Sequence, residues 1–113
     1  MNKQKDKIFK IDCKISENTN LSAGFYLLGL KLSRSIQCLP GQFAMVSFPA
    51  RKDLLLPRPF SIFSQESETI RILYKVVGKG TEYLASLKPD EIVACLLPLG
   101  NCFKEPEKNQ RIF

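Results

Sequence analysis

Between Ile8 and Ile15 the apolar residues fall at Phe9, Ile11, Cys13 and Ile15, with Lys10, Asp12 and Lys14 between them. That period of two is the mark of a half-buried strand. It returns in TIRILYKVV, where Ile70, Ile72, Tyr74 and Val76 share one face. Four further runs fit strands. GFYLLGLKL (24–32) is apolar at nearly every position and is read as strand from its neighbours. The Pro40–Gly41 turn leads into a strand from Gln42 to Phe48, RPFSIFS is joined to TIRILYKVV through the tight polar connection QESE as a hairpin, and EIVACLLP comes last. One segment changes character. In GKGTEYLASLKPDE, Thr81 is an acceptable N-cap, Glu82 suits the positive end of a helix, Tyr83, Leu84 and Leu87 form an apolar stripe, and Pro89 stops it. Six short strands at near-regular spacing and one short helix predict a small antiparallel barrel.

A chain of 113 residues with 44% apolar content is long enough for one domain with a real core, and it shows no internal repeat or low-complexity segment. It has no histidine and no tryptophan. Serine–histidine triads, cysteine–histidine dyads and histidine-liganded metals are thereby excluded. Cys13, Cys38, Cys95 and Cys102 form no CxxC and read as reduced thiols with no metal role. The N-terminus lacks the apolar run of a signal peptide and no stretch is long enough to span a membrane, so a cytoplasmic location is expected, with no membrane partner. The net charge is +6, but Lys3, Lys5, Lys7 and Lys10 crowd the first ten positions, so part of the excess reads as a solvated end. The remainder favours an anionic ligand or an acidic partner surface.

Two stretches offer such a site. In LLPRPFSIFS, Pro57 and Pro59 push Arg58 into an extended conformation with little freedom. In VVGKGTEYL, a glycine pair sits between a strand and a helix, but Tyr83 stands where the dinucleotide fingerprint needs its third glycine, and no Gly-Lys-Ser/Thr makes a P-loop. A glycine turn remains that brings backbone N–H groups and the Thr81 hydroxyl to a helix start. Together, a fixed guanidinium and a helix N-terminus suit a diphosphate, with Phe60 and Tyr74 packing on a planar ring and Ser61 at its edge, as a flavin dinucleotide requires. Taken singly, each has a plainer reading. Arg58 is then a surface residue in a proline-rich turn, the glycines are an ordinary link, and Tyr74 is core.

The ordered set LPGQFAMVSFP, RPFSI, ILYKVVGKGT and PLGNCF covers nearly the whole chain and resembles the FAD-binding domain of the ferredoxin–NADP reductase superfamily. Within that superfamily it is most similar to the electron-transfer subunits of two-subunit dihydroorotate dehydrogenases. The resemblance implies an all-β fold, a six-stranded antiparallel Greek-key barrel with one short helix. It implies FAD as cofactor, held by Arg58, Pro59, Phe60 and Ser61, then Leu73, Tyr74 and Lys75, then Gly80 and Thr81, with Gly78 shaping the turn and no catalytic side chain. Arg58 would hold the diphosphate, Ser61 would lie by the ring's reactive edge, and Phe60 would pack on the cofactor without the hydroxyl that relatives carry there.

The implied function is electron passage between NAD(H) and a catalytic dihydroorotate dehydrogenase-type subunit or another redox protein, in pyrimidine biosynthesis. Another ferredoxin or NAD(P) reductase, or a hydrogenase subunit, is the alternative. Residues 1–103 read as the barrel domain and 104–113 as a link into a nicotinamide-binding domain whose first strand would begin at RIF, so the chain would not be catalytically complete. None of the four cysteines matches the iron–sulfur cluster of those subunits, while Leu97 and Cys102 stand where relatives often have glycine. Two readings of another class are a barrel that stacks single-stranded nucleic acid on Phe60 or Tyr74 and a cofactor-free interaction module. Scattered or terminal basic residues and inward-alternating aromatics weigh against nucleic acid.

Overall fold

The computed structural model describes residues 7–100. Lys3, Lys5, Cys102 and the stretch 104–113 lie outside the described residues. The alternation starting at Phe9 builds a strand longer than its period indicates, since β1 spans Phe9–Ser22. Cys13 and Ile15 are buried, with Phe9 and Ile11 half-buried on the same face. Beyond Ile15 the side chains are polar apart from exposed Leu21, and the strand continues because its backbone pairs with β2 (Phe25–Leu32), from Cys13 opposite Leu32 to Ser22 opposite Phe25.

The two-residue turn between them holds Ala23 at φ 51° and Gly24 at φ 83°. Positive φ at both positions matches the twist of the flanking strands. A Cβ at Gly24 would meet nothing within 4 Å, so only the backbone conformation opposes a side chain there. Gly24→Ala is expected to lower stability by about 1–2 kcal/mol, read from a urea midpoint. No change would mean the turn relaxes freely.

The ambiguous period of β2 has a local cause. Leu28, Leu30 and Leu32 are buried in the core, and Gly29 between them is buried too, because a register shift in β1 after Ile15 lays Ser16 over it. A Cβ at Gly29 would stand 2.6 Å from Ser16 Oγ.

The remaining elements are β3 (Phe43–Ser47), β4 (Arg58–Ser61), β5 (Ser64–Glu66), β6 (Thr69–Lys75), α1 (Lys79–Ser86) and β7 (Ile92–Leu99). All strand pairs are antiparallel and the sheet order is β4-β3-β7-β1-β2-β6-β5. The consecutive strands β2 and β3 are separated by β1 and β7, so the 33–42 loop crosses the sheet, and α1 carries the chain back from β6 to β7. This is the expected antiparallel all-β fold with one short helix, built as a curled half-barrel of seven strands where six were expected.

The segment read as one strand, RPFSIFS, bends into two. Ile62 N–H donates to the Gln42 carbonyl next to β3, and Phe63 N–H donates to the Arg71 carbonyl in β6, each at 2.8 Å. Two adjacent residues thus hold opposite margins of the sheet and fix its curl. Gln65 and Glu66, read from sequence as connection, belong to β5, and the turn is Ser67, at φ 62°, with Glu68. Gln65 earns its place in β5. Its side chain accepts from Cys38 N–H at 2.8 Å and donates to the carbonyls of Ile36 at 2.8 Å and Ser67 at 3.1 Å.

The core lies inside the curl, with Leu84 and Leu87 entering it from the helical segment. Leu97, noted from sequence as a departure near the cofactor loop, is a core residue with no exposure. Cys13, Cys38 and Cys95 are free and buried. Burial, helped by Cys13, pushes the Cys38 thiol up to about 11. A hydrogen bond with Cys13 and burial drive Cys95 upward as well, so both thiols stay protonated. Among the described residues no helix is long and apolar enough to cross a membrane.

Candidate functional site

The curled sheet does not close along its whole length. β4 pairs only with β3, and β5 pairs with β6 only as far as Arg71. The second half of β6 and the outer edge of β4 therefore border an open seam whose apex is Ile62–Phe63. Hydrogen-bond parity shows what faces it. Phe63 donates to Arg71, whereas Val76 N–H donates to the Gly24 carbonyl at 2.9 Å on the β2 side. Along β6 the odd-numbered residues thus direct their backbone groups away from β2, which leaves the N–H and C=O of Leu73 and Lys75 unpaired on the seam. On β4, the Ile62 bond to Gln42 turns even-numbered residues toward β3, and Pro59 and Ser61 toward the seam. Pro59, which has no N–H, stands where the ladder does not need one.

The helix start closes the mouth of this seam. Its N-cap is Gly78, not Thr81, and the backbone there is extended. Thr81 is the third helical residue. Its hydroxyl accepts from Val77 N–H at 2.8 Å and Gly78 N–H at 3.1 Å, and lies 3.2 Å from the Gly78 carbonyl. The capping geometry of buried Thr81 thus consumes the hydroxyl expected to meet a ligand. The first intrahelical bond is Glu82 N–H to Gly78 C=O at 2.9 Å, so the N–H groups of Lys79, Gly80 and Thr81 precede the ladder and form the donor end of the helix.

Arg58 reaches this end. A Cβ built on Gly80 would stand 2.5 Å from Arg58 Cζ and 2.6 Å from Cδ, so the arginine lies directly on the glycine. Arg58 Nη1 donates to the Leu56 carbonyl at 2.8 Å. Among the described residues no carboxylate lies within salt-bridge distance of it, and the basic side chains that are so paired are Arg51 and Arg71. RPFS and GKGT, which are far apart in sequence, therefore converge as expected.

The loop before Arg58 is fastened to the helix. The Arg51 guanidinium lies 4.8 Å above the Tyr83 ring, and Tyr83 meets Phe48 edge-on at 5.2 Å. Arg51 also holds Asp53 through 2.7 and 2.6 Å bonds, which lower the Asp53 carboxyl to about 2.

The aromatic residues divide differently from the sequence expectation. Tyr74 is 4% exposed, stacked on Tyr26 at 5.4 Å, and its hydroxyl donates to Asn18 Oδ1 at 2.9 Å. Its ring is core and, being even-numbered, its backbone faces β2, so its part at the seam is to support Phe60, whose half-buried ring meets it at 5.9 Å and 73°. The ring stacking expected of Tyr74, on a flavin or on a base, is corrected accordingly. Lys75, as an odd-numbered residue, presents its backbone to the seam, while its ammonium lies 5.3 Å above the ring of its cross-strand partner Phe25.

Asn18 was not singled out from the sequence. Its amide donates to the carbonyls of Leu84 at 2.8 Å and Leu87 at 3.0 Å, capping the C-terminal end of α1 while accepting from Tyr74. Buried Gln42 was also missed. It accepts from Leu39 N–H at 2.9 Å and donates to the Gly100 carbonyl at 3.1 Å. Asn18 sits in a polar stretch with no periodic signal, and Gln42 is a single polar residue at the head of an apolar strand.

Arg58, Pro59, Phe60 and Ser61, with Leu73, Tyr74 and Lys75 opposite and Gly80 and Thr81 at the end, all line one cavity of about 430 Å³. A larger cavity of about 600 Å³ lies between Ser35–Pro40 and Phe63–Ser67. No charged residue lines it, and Gln65, its one half-buried amide, is fully engaged. Size favours that cavity and chemistry the seam; an anionic ligand follows chemistry.

Residues 12–103 match the family model described as oxidoreductase FAD-binding domain. The electron transfer subunit of dihydroorotate dehydrogenase B (NAD(+)) from Listeria welshimeri is 35% identical over 98 residues, covering 85% of this chain and 38% of that protein. Its counterpart from Clostridium acetobutylicum is 39% identical over 90 residues, 80% of this chain and 35% of that protein. The chain thus spans little more than a third of these curated relatives.

Among solved structures, the ferredoxin reductase in carbazole 1,9a-dioxygenase superposes with a TM-score of 0.75 at 20% identity, over 88% of this chain and 31% of that one. Flavohemoglobin from Malassezia yamatoensis with bound FAD and heme superposes with 0.67 at 19% identity, over 81% and 25%. These two establish the fold. With four-fifths of its length inside the family match, the chain belongs to the oxidoreductase FAD-binding domain family.

Proposed function

We propose that the chain is the FAD-binding part of an electron-transfer flavoprotein subunit that passes electrons between NAD(H) and a partner oxidoreductase of the dihydroorotate dehydrogenase type. One observation carries the reading, namely the unpaired strand edges of the seam leading to the Arg58 guanidinium over the N-terminus of α1. A flavin ring presents carbonyl and N–H groups along its pyrimidine edge, which suits the alternating donors and acceptors of Ser61, Leu73 and Lys75. A diphosphate suits the N–H groups of Lys79, Gly80 and Thr81 together with a guanidinium fork.

When bound, FAD supplies hydride acceptance and onward electron transfer. The chain's own part is to orient it. Arg58 neutralises diphosphate charge, the seam edges hold the ring in plane, and Phe60 shields one face without contributing a hydroxyl. Residues 1–103 form the flavin domain in this reading, and 104–113 lead to the nicotinamide-binding domain. We place the protein in the cytoplasm, which suits its free, buried thiols. For nucleic-acid binding the Tyr74 ring offers no stacking platform, because it is core.

Purified chain mixed with FAD and then desalted is expected to retain about one flavin per chain, visible as flavin absorbance with quenched fluorescence. A desalted sample without flavin overturns the proposal.

A further inference from the structure

We infer that Gly80 is a positioning residue for Arg58, a glycine kept so that the guanidinium can lie across the first turn of α1; this rests on the FAD reading above. The competing reason for a glycine is close approach of a phosphate to the backbone. The geometry points to the arginine. The three atoms nearest a Cβ on Gly80 are Nε, Cζ and Cδ of Arg58, with Cζ at 2.5 Å. The backbone of Gly80 is ordinary helix rather than left-handed, so no conformational need keeps it a glycine. Glycine is also a poor helix former. Gly78 makes the contrast, since a Cβ there meets nothing within 4 Å. Of the two glycines in GKG, only the second makes room for something.

The backbone of the arginine is fixed, so what yields to a Cβ at position 80 is its side chain. Pro57 and Pro59 restrict its backbone, β4 pairs it with Val46, and Nη1 is bonded to the Leu56 carbonyl at 2.8 Å. A methyl at position 80 therefore displaces the guanidinium from the helix donors and breaks the bond to Leu56.

The test is a double-mutant cycle of Gly80→Ala and Arg58→Ala, read in FAD affinity, in its salt dependence, and in the Tm of the flavin-free chain. Gly80→Ala alone is expected to weaken FAD at least tenfold and to flatten the salt dependence as far as Arg58→Ala does. In the Arg58→Ala background it should change affinity less than twofold. There it should also raise Tm relative to its effect in the wild-type background, because the gain in helix propensity is no longer opposed by the displaced arginine. An equal loss of affinity in both backgrounds assigns the glycine to the phosphate and overturns the inference. Should no variant, wild type included, bind FAD, the cofactor reading fails, and the Tm cycle decides by itself. Equal Tm effects in both backgrounds then overturn the pairing of Gly80 with Arg58, and unequal ones uphold it.

Discussion

Arg58→Ala is expected to weaken FAD binding about ten- to a hundredfold while leaving the fold intact. A hydrogen bond to a charged group contributes about 1.5–3 kcal/mol, and each 1.4 kcal/mol is tenfold in affinity. The fold is spared because Arg58 is partly exposed and, among the described residues, has no salt-bridge partner to strand. Its one hydrogen bond goes to the carbonyl of Leu56, a residue open to water. Arg58→Lys separates charge from shape. It keeps the positive charge but loses the fork that spans two phosphate oxygens, so its affinity should fall between wild type and alanine. Fluorescence titration with FAD measures both. Affinity unchanged in Arg58→Ala would remove the arginine from the site.

Asn18→Ala is expected to destabilise the protein by about 3 kcal/mol, the largest effect of any single polar substitution named here. The side chain makes three hydrogen bonds at about 1 kcal/mol each, to the carbonyls of Leu84 and Leu87 and from the Tyr74 hydroxyl. Its loss unties the end of α1 from the sheet and leaves a hydroxyl in the core without its acceptor. For a domain of this size the Tm should fall by roughly 12–24 °C, taking about 4–8 °C per kcal/mol. Tyr74→Phe removes one of the three bonds and should cost about 1 kcal/mol.

Asn18→Asp should be poorer than alanine at neutral pH, because a carboxylate would face two carbonyls, and should recover as acid protonates it. The connection to the site is mechanical. Asn18 holds one end of α1 and, through Tyr74, the ring that supports Phe60, so a looser network should also weaken flavin binding. A loss under 1 kcal/mol for Asn18→Ala would show that the helix is fixed elsewhere.

Much of this was legible in the chain. The alternation at Phe9–Ile15 and Ile70–Val76 is imposed by one buried face, and burial acts locally on every second residue, so sequence carries it. Pro57 and Pro59 act on their neighbours, so the extended Arg58 was legible too, as was the helix beginning near GKGT. What escaped depends on partners distant in sequence. The polar half of β1 exists because β2 pairs with it, and no pattern in ENTNLS says so. RPFSIFS bends because Ile62 and Phe63 bond to opposite margins of the sheet, a fact of topology rather than composition.

Thr81 carries the right chemistry for a cap but sits three residues inside the helix, where it reaches back to Gly78 and Val77. The residues expected at the site line one cavity, though not all in the manner expected. Lys75 meets the seam through its backbone while its side chain lies over Phe25, and Tyr74 serves it only from the core, as the ring behind Phe60.

The claim on which all of this depends is that the open seam, rather than the larger cavity beside Ser35–Pro40, receives FAD. Backbone amide NMR of the chain with and without FAD tests it residue by residue. The expected shifts fall on the amides of Ser61, Leu73, Lys75, Lys79, Gly80 and Thr81, while those of Gln37 and Leu39 stay in place. Shifts concentrated at 35–40 with Leu73 and Gly80 unmoved would contradict it.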